Sequence, residues 1–189
     1  MIIDNYAKPM KTEITLHYKC NASCIHCYQD KNLTCSSVEE CKDVERKIAL
    51  AYKRGARILS LIGGETSLDP RITKFARLAK KIGYKHVLIT TNALLLSDPD
   101  YVKTLVQSGI DSFKLSFHST IPEVHDKLLQ KIGAYDTLMT AINNLKNYHI
   151  CLAFATVVTS LNYKDIPNIA EFVTSELKIA NLTFFSCHN

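Results

Sequence analysis

Apolar residues along this chain follow two alternating rhythms. Short runs rich in β-branched and apolar residues predict six strands: "EITLHY" from Glu13, "ARILSLI" from Ala56, "KHVLITT" from Lys85, "DSFKLSF" from Asp111, "ICLAFATVV" from Ile150 and "LTFFS" from Leu182. Between them lie "SVEECKDVERKIALAYKRG", "RITKFARLAKKIG", "DPDYVKTLVQSG", "YDTLMTAINNLKNY" and "KDIPNIAEFVTSELK". Their apolar positions recur at three-four spacing, which predicts five helices. Ser37 with Glu40 forms a capping box, and Gly55, Gly83 and Gly109 fall where helix C-termini need a left-handed residue.

Strictly alternating strands and helices predict an α/β fold of parallel strands joined by right-handed crossovers. In such folds the loops that leave the strands share one face, where barrels and open sheets alike collect ligands. The less common residues fall in those loops: three cysteines after the first strand, "GGET" after the second, "TNA" at the end of the third, "SFHS" at the end of the fourth and "VVTSLN" at the end of the fifth.

Composition narrows the class. With 189 residues, 47% hydrophobic and 22% charged, the chain predicts one globular domain over residues 1–189. The formal charge of +5 is scattered along helices, which argues against a nucleic-acid surface but suits a ligand bearing carboxylate or phosphate. No apolar run approaches the roughly 20 residues needed to cross a bilayer. Asp4 and Pro9 interrupt the start where a signal sequence needs a continuous apolar core, so a cytoplasmic location is expected. In that reducing compartment seven cysteines point to metal or chemistry rather than disulfides.

Three of the seven occupy "CNASCIHCY" as Cys20, Cys24 and Cys27. Soft thiolates suit zinc, copper(I) or an iron-sulfur cluster. A structural zinc needs a fourth ligand, for which His17, His26, Cys35 and Cys41 are the nearby candidates, but no second close pair faces the three thiols across a gap. An iron-sulfur cubane held by three thiolates would instead leave one iron open to a small molecule.

The spacing Cys20-x3-Cys24-x2-Cys27, with Asn21 after the first cysteine, the ring of His26 before the third and Tyr28 after it, resembles the signature of the radical SAM superfamily, in feel closest to its peptide-modifying members. The resemblance implies a partial (β/α)6 TIM-type barrel whose three thiolates hold a [4Fe-4S] cluster, S-adenosylmethionine chelating the fourth iron. Gly63, Gly64 and Glu65 match the Gly-Gly-Glu turn beside the methionine part of the cofactor, with Thr66 where the family usually has proline. Glycines there let backbone approach closely, and a carboxylate or carbonyl accepts from an ammonium. Asn92 matches a Thr-Asn-Gly turn in which Ala93 replaces the glycine. Ser116 matches a ribose contact, Val157 and Val158 an adenine-facing strand edge shaped by Thr159 and Asn162, and His118 is a candidate proton-transfer or substrate residue.

The resemblance runs from Glu13 to Ser186. It implies an electron donor such as flavodoxin or ferredoxin, reductive cleavage of the cofactor to a 5'-deoxyadenosyl radical, and hydrogen-atom abstraction from a peptide or small-molecule substrate. An open six-strand barrel shields a radical poorly, so a partner subunit or a further C-terminal region is expected to cover it. Cys35 and Cys41 read as ordinary thiols, Cys151 as core, and Cys187 closes the sixth strand's tail. Two other readings compete: a zinc-binding interaction domain using the three cysteines plus His17 or Cys41, and a degenerate family member that scaffolds without catalysis.

Overall fold

Each apolar run becomes a strand. A computed structural model describes residues 10–27 and 41–186, without the side chains of Cys41 and Lys42. The strands are β1 (Lys11–Thr15), β2 (Ile58–Ile62), β3 (His86–Thr91), β4 (Ser112–Ser116), β5 (Cys151–Val158) and β6 (Leu182–Ser186). They pair in chain order, all parallel, in one sheet that curls into a half-barrel with β1 and β6 as its edges.

The helices are α1 (Cys41–Lys53), α2 (Ile72–Ile82), α3 (Pro99–Gln107), α4 (Pro122–Leu129), α5 (Ala134–Leu145) and α6 (Ile166–Glu171). Gly55, Gly83 and Gly109 take φ of 107°, 113° and 101°, the left-handed values expected at helix ends. The proposed capping box of Ser37 and Glu40 lies outside the described residues, as do Tyr28, Cys35 and Cys187.

Three features depart from the sequence pattern. Cys151, expected in the core, is exposed at the start of β5, on the concave side of the sheet. The segment "PEVHDKLL", not among the five predicted helices, is a helix of its own, α4, ended by Gln130 in the left-handed region at φ 52°. The last predicted helix is broken: α6 passes into a single π turn over Phe172–Glu176.

Strand alternation divides the sheet into two faces. On β4, Phe113 and Leu115 are fully buried in the core shared with the helices, while Ser112, Lys114 and Ser116 face the concave side and are half-buried. The outer face is thus packed and apolar. Phe75, Phe113, Phe117 and Phe154 are its largest fully buried side chains. The concave face mixes polar and charged residues, Glu13, Ser60, Thr90 and Lys114 among them, with apolar ones such as Ile58, Leu88 and Phe185.

Candidate functional site

The loop after β1 is held from both sides. From the β2 side, Leu16 N donates to Ile62 O at 2.8 Å, Gly64 N to His17 O at 2.7 Å and Glu65 N to Lys19 O at 2.7 Å. A Cβ on Gly63 would lie 2.7 Å from His17 O, and one on Gly64 would lie 2.3 and 2.4 Å from Lys19 O and Tyr18 O. The close approach that requires the glycines is therefore to the stem of the cysteine loop.

From the other side, Ser23 N donates to Leu129 O and Ile25 N to Leu128 O, at 3.1 and 3.0 Å. These are carbonyls from the last turn of α4, left without helical partners of their own. Cys24 packs beside Leu128, Leu129 and Ala134 in a small apolar cluster. The helix missing from the sequence pattern is the one on which the cysteine loop rests.

Cys20, Cys24 and Cys27 are free thiols. Burial, then the neighbouring Cys20 and Cys27, push the Cys24 thiol up to about 12, and burial also raises Cys20. The Cys24 thiol feels the other two, so a positively charged centre beside them would favour their thiolate forms. Two donors are aimed at Cys20 Sγ: Ala22 N at 3.5 Å and Asn92 Nδ2 at 3.8 Å. Such bonds hold a ligating sulfur in place. Among the described residues, no group of three or more His, Cys, Asp or Glu side chains is gathered around a single metal-ion position. Cys41, one of the fourth ligands considered for zinc, has its side chain outside the described residues.

Glu65 is the hub of the β2 and β3 loops. It is 1% exposed, and its Oε1 accepts from Ser67 N at 2.9 Å, Ser67 Oγ at 2.6 Å and Thr91 Oγ1 at 2.6 Å. Its Oε2 accepts from Asn92 N at 2.7 Å, which leaves room for one further donor at that oxygen. Asn92 passes the bracing on: its side chain donates to Asn21 Oδ1 at 2.8 Å and accepts from Leu94 N at 3.1 Å. Ala93, standing where the family pattern has glycine, takes φ 67° regardless. One carboxylate thereby ties the β2 and β3 ends together, and Asn92 links them to the cysteine loop.

A histidine stack backs the loop. The rings of His26 and His118 meet edge-on at 4.4 Å, and His118 stacks on His125 at 5.8 Å. His118 Nδ1 accepts from Val157 N at 3.2 Å, so its proton sits on Nε2. Burial drives His118 well below its ordinary value and lowers His125 to about 4. Both are neutral at pH 7, and among the described residues His26 Nδ1 and His125 Nε2 are buried without a hydrogen-bond partner.

The remaining predicted residues lie along the β4 and β5 ends. Ser116 and Val158 are half-buried, and among the described residues none bonds to the Ser116 hydroxyl. Asn162 locks the β5 end: its Oδ1 accepts from Thr159 N at 2.7 Å, and its Nδ2 donates to His118 O at 2.7 Å and Val157 O at 2.9 Å. Asp165 was not singled out from the sequence, yet it holds the loop after β4. It accepts from Ser119 Oγ at 2.6 Å, Thr120 N at 2.7 Å, Thr120 Oγ1 at 2.8 Å and Asn168 Nδ2 at 3.0 Å. Those bonds keep its carboxyl below the usual range against the effect of burial. The one available signal was an acidic residue just before the proline-containing start of α6.

Residues 14–173 match the Radical SAM superfamily. The chain belongs to the radical SAM superfamily. The cofactors of this superfamily are a [4Fe-4S] cluster and S-adenosylmethionine. The chain is 30% identical over 129 residues to a probable GTP 3',8-cyclase of Methanothermobacter marburgensis, covering 68% of this chain and 42% of that protein. A probable GTP 3',8-cyclase of Sulfurisphaera tokodaii is 27% identical over 176 residues, covering 90% and 54%. The chain spans about half the length of these curated relatives. In fold it resembles Streptococcus suis SuiB bound to S-adenosylmethionine, with TM-score 0.78 and 21% identity over 96% of this chain and 40% of SuiB. It also resembles anSMEcpe with bound AdoMet and Kp18Cys peptide, with TM-score 0.78 and 19% identity over 96% of this chain and 52% of that one. No described helix is long and apolar enough to cross a membrane.

Proposed function

We propose that residues 1–189 are one radical SAM core domain in which Cys20, Cys24 and Cys27 hold a [4Fe-4S] cluster beside a bound S-adenosylmethionine. The observation that carries this reading is the bracing of the cysteine loop, the Gly63-Gly64-Glu65 turn and Asn92 into one rigid unit at the C-terminal ends of the first three strands. Rigid support from outside the ligands is what keeps a metal centre in a fixed position. Gly63, Gly64 and Glu65 would hold the cofactor's methionine part, with Asn92 beside them. Ser116 offers an unshared hydroxyl to the ribose, and Val158 with Val157 lines the adenine edge.

When bound, this cofactor pair supplies a 5'-deoxyadenosyl radical once an electron arrives from a donor such as a flavodoxin or ferredoxin, and the radical takes a hydrogen atom from substrate. The chain's own residues position the sulfonium and keep water away. His118, neutral and bonded to Val157 N, shapes the β4 end. A covering segment or partner subunit completes the concave side, and the reaction belongs to the cytoplasm.

The substrate reading is a peptide, in keeping with the cysteine-loop form "CNASCIHCY" and the SuiB-like fold. A nucleotide is the second reading, favoured by the 30% identity to a probable GTP 3',8-cyclase. The core claim is tested by anaerobic reconstitution with iron and sulfide, then incubation with S-adenosylmethionine and dithionite. Release of 5'-deoxyadenosine is expected. Its absence from a protein with a full cluster would leave the scaffold reading instead.

A further inference from the structure

The concave face of the half-barrel carries an ion pair and a separate cation. On β1, Lys11 Nζ lies 3.3 Å from Glu13 Oε2, and the same oxygen accepts from Ser60 Oγ at 3.1 Å, so that pair is settled within the chain. Lys114, in the middle of β4, has no carboxylate within ion-pair distance among the described residues. Its ammonium stands 5.0 Å from the centroid of the Phe185 ring on β6. A ring face at that distance attracts a cation but does not neutralise it.

The surroundings suit a ligand. Register places Thr90 on one side of Lys114 and Ala153 on the other, with Ser116 one layer nearer the strand ends and beside Ala155. Thr15, Thr90 and Ser116 lie on this face, and among the described residues none bonds to their hydroxyls. Small side chains at 153 and 155 let Lys114 and Phe185 meet over β5. Lys114 is half-buried, and its ammonium is held below its usual range by burial and by Lys11, with Glu13 acting the other way. A partly desolvated cation beside a ring and unbonded hydroxyls, with Glu13 already paired to Lys11, gains from an oxyanion.

We propose that Lys114 anchors an anionic group of the substrate, a carboxylate or a phosphate, on the concave face, with Thr90 as its hydroxyl neighbour. The assignment rests on the radical SAM reading, which makes this face the place where substrate meets the cofactor. Lys114 is a specificity residue and plays no part in holding cluster or cofactor.

Two probes separate the sources of such a group: inorganic pyrophosphate for a phosphate and glutarate for a carboxylate. The reconstituted protein, with its lysines 13C-methylated, is titrated with each at low ionic strength, and the Lys114 resonance is identified by its loss in Lys114→Gln. Saturable movement of that resonance is expected with one probe. Calorimetry should show binding of that probe at least tenfold weaker in Lys114→Gln and within about threefold of the parent in Lys114→Arg, because either cation can take the anion. A Lys114 resonance unmoved by both probes, or equal binding by Lys114→Gln, overturns the proposal. Cluster absorbance and 5'-deoxyadenosine release are read in the same samples. Loss of those in the parent protein would sink the radical SAM reading while the lysine titration still gives its own answer.

Discussion

Replacing Gly64 by alanine tests whether the Gly-Gly-Glu turn is built around the cysteine loop. The added Cβ would lie 2.3 Å from Lys19 O, 2.4 Å from Tyr18 O and 2.6 Å from Tyr18 C, all backbone atoms that cannot rotate aside. Real Cβ atoms essentially never come within 3.0 Å, so the loop stem must withdraw by about 0.7 Å (3.0 less 2.3) from the closest contact alone. That withdrawal strains the bonds from Gly64 N to His17 O and from Glu65 N to Lys19 O. Overpacking of this kind costs about 1–3 kcal/mol, and each weakened bond adds about 0.5–1.5 kcal/mol. A loss of about 2–6 kcal/mol is expected, or a drop in Tm of about 5–20 °C for a chain of this size. Gly133→Ala is the control: its φ is +76°, yet nothing lies within 4 Å of the added Cβ. It carries only the left-handed penalty of about 1–2 kcal/mol. Chemical denaturation of both variants, followed by iron quantification after reconstitution, makes the comparison. If Gly64→Ala costs no more than Gly133→Ala and takes up a full complement of iron, the tight seating of the cysteine loop is refuted.

Other consequences follow from the buried polar groups. Glu65→Gln places an amide against donors that now face a carboxylate; urea unfolding should show a loss of about 2–4 kcal/mol, and an unchanged midpoint would contradict the hub role. His125 and His118 titrate lower in the folded chain than in the unfolded one. The unfolded chain therefore takes up protons first, and stability is full above pH 6.5 and falls as pH drops toward 4, by up to about 3 kcal/mol for His125. Denaturation of cluster-free protein across that window checks the slope, which His125→Phe should flatten. Asp165→Ala removes the acceptor of four bonds at the β4 loop. It should cost about 2–4 kcal/mol at neutral pH, with a smaller cost in acid once the parent carboxyl is itself protonated.

The strands were legible in the sequence because a parallel sheet packed on its outer face needs runs of β-branched and apolar residues, which 58–62, 86–91 and 151–158 supply. Helix ends were legible through Gly55, Gly83 and Gly109, whose positive φ few other residues adopt. The eight-residue α4 was hidden because its polar first turn and the turn at Gln130 run directly into α5. The site residues were visible as types and spacing, but their partners were not. Glu65 was read as facing the cofactor, and most of its acceptor capacity turns out to serve Ser67, Thr91 and Asn92. Asp165 acts on residues 45 and 46 positions away, a relation that no local pattern records.

The central claim is that Cys20, Cys24 and Cys27 leave one iron of a cubane open to S-adenosylmethionine. Electron paramagnetic resonance of the anaerobically reconstituted, reduced protein, recorded with and without S-adenosylmethionine, tests it most directly. The expected result is a [4Fe-4S]+ signal whose g-values shift on addition of the cofactor in the parent, and which Cys24→Ala fails to give. A colourless protein holding one zinc, or a Cys24→Ala variant with the same cluster and the same shift, would contradict it.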